Sequence, residues 1–322
     1  MKTRFILALL FACPFFSVAQ KKPGILQNPI LQGYYADPSI VRADSSCFLY
    51  ATIDPWGADR LAVFETADFL RFEPRQINWP TKAACSSPTS GGAMVWAPSV
   101  VQAPDGLFYM YVSVGSEIWA GVSPHPLGPW KNAKSGNEPF IPGDLYPGYH
   151  MIDAECFIDE DGQAYLYWGS GLNWVNGKCF AAKLRPDMVS FYEPPKDITP
   201  PDYFEAPFMM KRRGVYYLMY SEGKAIDSTY NIRYATGPSP FGPWTAGKNS
   251  PILRTDSSKK TFGPGHHAVF QAGGQSYILY HRIHPQEKEF VLRELCLGRL
   301  EFDKRGNIRK VRLGGVPVPG KD

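Results

Sequence analysis

Several features are missing from this 322-residue chain, and each absence removes a class of function. After the first residues no apolar run is long enough to cross a bilayer, so a membrane-spanning channel or transporter built on helices is excluded. Apolar residues at i, i+3, i+4, i+7 are hard to find, which argues against long helices. No C-x-x-C pair is present, so there is no zinc signature, and no run of carboxylates resembles a calcium loop. The net charge of +4 is spread without a basic block, which speaks against nucleic acid or membrane binding by charge. What the chain does have is 14% aromatic residues with 30 Gly and 30 Pro, the composition of many short strands joined by tight turns.

The first residues read as an export signal: Met1-Lys2-Thr3-Arg4 supplies positive charge, "FILALLFA" the apolar core, and "SVA" the small residues before cleavage at Ala19. The domain expectation is therefore a signal peptide over 1–19 and one domain over 20–322, exported to the periplasm or outside the cell. A rival reading takes Leu10 to Cys13 as a lipoprotein site with Cys13 as the anchor, a pattern that Phe11 fits poorly. Cleavage leaves Cys47, Cys85, Cys156, Cys179 and Cys296, an odd number, so at least one thiol stays free. Cys47 and Cys156 sit in strand-like runs as small core residues.

One pattern recurs five times. "DPSIVRADSSCFLYAT" from Asp37, "APSVVQAPDGLFYMYVS" from Ala97, "DAECFIDEDGQAYLYWG" from Asp153, "EAPFMMKRRGVYYLMYS" from Glu205 and "HHAVFQAGGQSYILYHR" from His266 each join two strands by a polar or glycine turn. The second strand carries a tyrosine 13 to 15 residues after the first position: Tyr50, Tyr111, Tyr167, Tyr220 or Tyr280. The starts lie 60, 56, 52 and 61 residues apart. A third strand-like run follows each hairpin ("RLAVFET", "EIWAGVS", "KCFAAKL", "NIRYATG", "LCLGRLEF"), and then a fourth short piece ("LRFEP", "GPWKN", "VSFYEP", "GPWTA", "NIRKVR"). Five units of four strands fit an all-β, five-bladed β-propeller with four antiparallel strands per blade.

In a propeller the innermost strands surround the axis, so matched positions on them form a ring. Here those are Asp37, Ala97, Asp153, Glu205 and His266, with Trp96 beside Ala97. Like charges gathered at one mouth cost energy and push pKa values apart, which points to chemistry rather than scaffolding. Hydrolysis of a glycosidic bond uses two carboxyl groups in opposite protonation states.

The segments "YYADPSIVR", "IDAECFIDEDGQAYLYWG", "YFEAPFMMKRRGVYYLMYS" and "FGPGHHAVF", in this order and at blade spacing, resemble the signature segments of glycoside hydrolase family 43. That resemblance spans nearly the whole mature chain and implies a five-bladed propeller cleaving arabinose- and xylose-containing glycans with inversion. Position by position it implies Asp37 as general base, Glu205 as general acid, and Asp153 as the residue that orients the acid and raises its pKa. Inversion calls for about 6.5–9.5 Å between base and acid. His266 matches a histidine that in several members helps hold a central calcium through water; no cofactor is required by the chemistry. Two departures stand out: Tyr35-Ala36 where Tyr-Pro is usual, and Asp153-Ala154-Glu155 where Asp-Pro-Ser is. His267 is expected to face blade packing, and Glu155 to share a strand face with Asp153.

Sugar contacts are expected from Trp96 and Trp56, then Tyr35, Phe204, His266 and Arg282; Trp119, Trp168 and Trp174 are further aromatic candidates, and Trp130 and Trp244 in the "GPW" turns read as structural. The functional expectation is an exported inverting enzyme, exo-acting on terminal α-L-arabinofuranosyl or β-D-xylosyl units, its mouth closed by 71–94 and 132–150. An endo-arabinanase, a galactofuranosidase or a galactanase are the alternatives within the family. A non-catalytic carbohydrate-binding propeller or a protein-interaction propeller are the competing classes. A carbohydrate is thus the expected partner, and oligomeric state is not readable.

Overall fold

The structure, a computed structural model, describes residues 24–286 and 291–320; the export signal and Cys13 lie outside them. Five antiparallel sheets follow one another along the chain. Blade 1 is Tyr35–Ala43, Ser46–Ile53, Ala62–Thr66 and Glu73–Arg75; blade 2 is Val95–Gln102, Phe108–Val114, Glu117–Ser123 and Lys131–Asn132. Blade 3 is Glu155–Ile158, Ala164–Trp168, Phe180–Lys183 and Lys196–Asp197; blade 4 is Glu205–Arg212, Val215–Glu222, Asn231–Gly237 and Thr245–Ala246. Blade 5 has three strands, Phe262–Ala272, Gln275–Ile283 and Arg293–Arg299. Each first strand packs against that of the next blade and the fifth against the first, so the sheets close into a five-bladed propeller.

Two fourth strands differ from expectation. In blade 3 "VSFYEP" supplies only the bridge Leu184–Phe191, and the outer strand lies later, at Lys196–Asp197. In blade 5 "NIRKVR" forms no strand, only the bridge Phe302–Ile308. The free edge of Arg293–Arg299 is taken by the start of the chain: Ile30 N–H donates to Leu295 O, and the Asn28 side chain bonds both backbone groups of Leu297. Ile25–Leu26 then pairs with Val316–Pro317, which ties the two ends of the ring together. A strand edge with unmet N–H and C=O groups needs such cover, and a ring must recruit it from the other terminus.

Five apolar clusters fill the five seams between blades. Tyr50 and Val63 meet Val112 and Trp119; Tyr111 and Ile118 meet Leu166 and Trp168; Tyr167 and Ala181 meet Leu218 and Tyr220. Met219 and Ile232 meet Ile278 and Tyr280, and Leu279 and Leu297 meet Leu49 and Phe64. Each buried side chain of this size contributes about 1.5–3 kcal/mol, and no blade can supply the seam alone. The repeated tyrosines also pin the next blade: Tyr50 donates to Pro126 O at 2.6 Å, Tyr111 to Met188 O at 2.8 Å and Tyr167 to Pro240 O at 3.0 Å. In blade 4 Tyr217 takes this part, reaching Gly306 O at 2.8 Å. Cys47, Cys85, Cys156, Cys179 and Cys296 are all buried.

Candidate active site

One backbone feature builds the mouth of the channel. Asp37, Ala97, Asp153, Ala206 and His266 all have positive φ, between 37° and 57°. Four of them sit at register shifts in their inner strands, and a bulge of this kind turns a side chain away from the sheet and toward the axis. Such a conformation is strained for residues with a side chain, and its recurrence on every blade marks a functional ring. In three of the first four blades a hydroxyl accepts a hydrogen bond across the seam. Thr52 accepts the Ala97 N–H, Ser113 that of Asp153 and Ser221 that of His266, while His281 Nδ1 accepts that of Asp37.

This ring corrects the matched positions read from the sequence. The blade 4 equivalent of Asp37 is Ala206, and Glu205 lies one residue earlier, paired with Ser221 as Trp96 is with Ser113. Its carboxyl therefore enters the mouth from a neighbouring direction rather than from the ring itself.

Asp37 is nearly enclosed. Its Oδ2 accepts from Thr52 Oγ1 at 2.8 Å, and its Oδ1 from Arg293 Nη1 at 2.9 Å, with His266 Nδ1 at 3.2 Å. Burial opposes its charge, but the Arg293 guanidinium and His266 outweigh burial and hold the carboxyl well below the usual carboxylate range. Asp54 holds the guanidinium in turn: its Oδ2 accepts the Arg293 backbone N–H at 2.7 Å and Nε at 2.9 Å, and its Oδ1 accepts Nη2 at 2.6 Å. The same guanidinium lies 4.8 Å from the centre of the Trp56 ring. Neither Arg293 nor Asp54 was singled out in the sequence. Asp54 in "DPWGADR" stands two residues before a candidate tryptophan, a signal that could have drawn attention to it.

Glu205 accepts from Ser170 Oγ and from the Tyr230 hydroxyl, both at 2.8 Å. Burial raises its pKa, against the two hydroxyl donors, which lower it. Asp153 is pushed up to about 8, chiefly by burial, with His266 opposing and Glu205 and Asp37 adding to the rise; its Oδ1 has no hydrogen-bond partner. Burial is the largest cause at both carboxyl groups, and the repulsion between Asp153 and Glu205 acts in the same direction. His266 Nδ1 lies 3.2 Å from Asp37 and 3.7 Å from Asp153. Burial works against its charge, yet the two aspartates raise it to about 9. Asp37 is thus favoured in its ionised form, while burial pushes Asp153 and Glu205 the opposite way.

These groups form the floor of a cavity of about 460 Å3. Its walls include Trp56, Trp96, Phe204 and His266, four of the six expected sugar contacts, together with His150 and Trp174. Gly57 lets the Trp56 loop approach blade 2, since a Cβ there would meet Val95 O at 2.8 Å. Trp174 stacks on Phe204 with ring centres 6.0 Å apart. The other wall comes from the short ribbon Tyr149–His150 paired with Ser170–Gly171, which also delivers Ser170 to Glu205.

Two expected contacts lie elsewhere. Tyr35 packs edge-on against Phe64, because its place before the bulge turns it into the seam. Arg282 pairs across the strand with Glu294 at 3.1 Å and does not line the cavity. No residue of 71–94 lines the cavity, and of 132–150 only His150 does, so these segments do not close the mouth as expected. Trp119 and Trp168 are fully buried core residues. His267 packs on Phe208, as expected, and Glu155 accepts from Ser99 Oγ at 2.8 Å.

The implied calcium was tested against these residues. His266 Nδ1 faces the carboxyl groups of Asp37 and Asp153, and no group of three or more His, Cys, Asp or Glu among the described residues has a metal-holding arrangement. The expected calcium is one that His266 would hold through water, which calls for no such cluster of direct ligands, and no step below runs through it.

The sequence model of Glycosyl hydrolases family 43 matches residues 26–308. The chain belongs to this family. A β-D-galactofuranosidase of Aspergillus niger is 31% identical to it over 308 residues, covering 91% of this chain and 87% of its own. A xylosidase/arabinosidase of Bacteroides ovatus is 30% identical over 272 residues, covering 72% of this chain and 75% of its own. Among solved structures, a thermostable family-43 glycoside hydrolase superposes with a TM-score of 0.75 at 26% identity, covering 92% of this chain and 99% of the other. This family 43 member is a glycoside hydrolase, and its substrates are carbohydrates.

Proposed function

We propose that this family 43 glycosidase is exo-acting and inverting, and removes a terminal α-L-arabinofuranosyl unit, with terminal β-D-galactofuranosyl and β-D-xylosyl units as the competing substrates. The observation that carries the reading is the asymmetry of the floor: Asp37 held ionised by Arg293, and Glu205 held toward its protonated form by burial. Asp37 removes a proton from water as its oxygen attacks the anomeric carbon, and Glu205 gives its proton to the departing glycosidic oxygen. The product sugar leaves with inverted configuration, Glu205 as carboxylate and Asp37 as acid, and proton exchange with solvent resets both. Asp153 supports the proton of the buried pair, and Ser170 and Tyr230 orient Glu205.

A cavity of about 460 Å3 has the size of a small-molecule site rather than an open cleft, which favours terminal units. The furanosyl reading draws on both named relatives. α-L-Arabinofuranose and β-D-galactofuranose share the configuration of every ring carbon and differ by one exocyclic carbon. The first 19 residues read as an export signal, which places the proposed action outside the cytoplasm.

The test is hydrolysis of para-nitrophenyl α-L-arabinofuranoside, β-D-galactofuranoside and β-D-xyloside, and of arabino-oligosaccharides, by the wild type, Asp37→Asn and Glu205→Gln. The reading expects release of a single monosaccharide, inverted by proton NMR, and a loss of roughly 10²–10⁴ on oligosaccharides in both variants. Release of internal fragments, or retention of configuration, refutes it.

A further inference from the structure

The reading of an evenly spread net charge overlooks one basic segment near the end of the chain, and the fold adds two further arginines to it. Between 299 and 312 stand Arg299, Lys304, Arg305, Arg309, Lys310 and Arg312, against Glu301 and Asp303. The hairpin turn of blade 4 brings Arg212 and Arg213 to the same end of the ring. Asp303 is committed to its own turn, bonding the N–H groups of Arg305 and Asn307 and the Asn307 amide. Among the described residues none of the eight basic side chains has a carboxylate within ion-pair distance, unlike Arg75, Arg233 and Arg282. Seven residues of strand, about 23 Å at ~3.3 Å each, separate Glu205 at the catalytic mouth from Arg212.

Three of these eight residues, Arg212, Arg309 and Arg312, line a shallow hollow of about 640 Å3 together with Gln271, Gln275 and Glu301. Phe302 forms one wall, its ring covered by the Arg212 guanidinium at 4.4 Å and by Tyr217 edge-on. Arginine presents a planar fork that matches a carboxylate, and the amides between the arginines suit hydroxyl groups. Carboxylates alternating with hydroxyls are the chemistry of a uronate-bearing polysaccharide. Single-stranded nucleic acid binding adds open aromatic faces to basic groups, and an interfacial membrane anchor adds exposed apolar side chains. The one aromatic ring of this hollow is already covered.

We infer that this basic hollow, at the end of the propeller opposite the catalytic mouth, is a docking site for an acidic, uronate-bearing polysaccharide. The choice of a glycan rests on the glycosidase reading, while the anionic chemistry rests on the arginines alone. Held there, the enzyme stays near neutral side chains of the same polymer network, which raises their effective concentration at the mouth.

The test uses the double variant Arg309→Glu/Arg312→Glu, both exposed and outside the catalytic site. Retention on polygalacturonate is measured by affinity electrophoresis, with debranched neutral arabinan, phosphatidylglycerol vesicles and a single-stranded RNA as comparison probes. Polygalacturonate is expected to bind the wild type, more weakly with added salt, and the variant roughly tenfold or more weakly. The kcat/KM on a small aryl glycoside should be equal in both, which separates failure of this site from failure of the catalytic reading. Equal retention of wild type and variant, no retention of either, equal binding to neutral arabinan, or tighter binding to vesicles or RNA each overturns the inference.

Discussion

Replacing Arg293 with glutamine tests the electrostatic half of the mechanism. The Nη1 bond to Asp37 at 2.9 Å is charge-assisted and buried, and such a bond is worth about 1.5–3 kcal/mol. At 1.36 kcal/mol per pKa unit its loss moves Asp37 up by about 1–2 units. Asp37 works as a base only when ionised, so the acid limb of kcat/KM against pH moves up by the same amount. Stability falls too, since Asp54 and Asp37 are left buried without their guanidinium, a loss of about 3–5 kcal/mol. The sign with pH follows from the depressed folded pKa. In the wild type Asp37 contributes stability above the unfolded carboxylate value, and that contribution is lost as pH falls through the folded value. The variant lacks most of it, so its excess instability is greatest near neutral pH and shrinks in acid. The assay is kcat/KM from pH 3 to 8 on an aryl glycoside with an activated leaving group, which isolates the base from Glu205, with urea unfolding alongside. An acid limb that overlays the wild type, with activity lowered equally at every pH, refutes the claim that Arg293 sets the ionisation of Asp37.

Glu205→Gln should lose roughly 10²–10⁴ in kcat/KM on oligosaccharides but much less on a glycosyl fluoride, whose departure needs no proton; steady-state kinetics on both substrates check it. Tyr230→Phe removes a hydrogen bond that lowers the Glu205 pKa, so the basic limb for a poor leaving group should move to higher pH, read from the pH profile. Glu117→Gln should cost about 1–3 kcal/mol in urea unfolding with kcat unchanged, because the buried carboxylate accepts from Ser87, Thr89 and Trp119 beneath the 71–94 segment, away from the cavity.

The first three strands of every blade were legible because they are local: two-residue alternation, turn dipeptides and a recurring tyrosine need only neighbours in the chain, whereas the outer strands of blades 3 and 5 were not. Asp37, Asp153 and His266 were legible because the repeat carries them in register. Glu205 shows the limit of that reading. Its repeat starts one residue early, and only the bulge at Ala206 reveals which position of the ring each residue holds. Tyr35 and Arg282 read as mouth residues from their nearness to matched positions, yet side-chain direction is set by the bulge and by cross-strand pairing with Glu294.

From the order of its residues alone this protein has five hairpin repeats, three acids at their inner ends, and hence a propeller with the residues for glycoside hydrolysis. Tertiary structure alone decided the environments on which the proposed division of work between the acids rests. Arg293 stands 256 residues from Asp37 and 239 from Asp54, and no local pattern joins them. Closing the ring brings the guanidinium between two carboxylates and leaves Glu205 among buried hydroxyls, which lowers the pKa of Asp37 while burial raises that of Glu205. Charge state depends on burial and on partners distant in sequence, and both exist only once the five seams have closed.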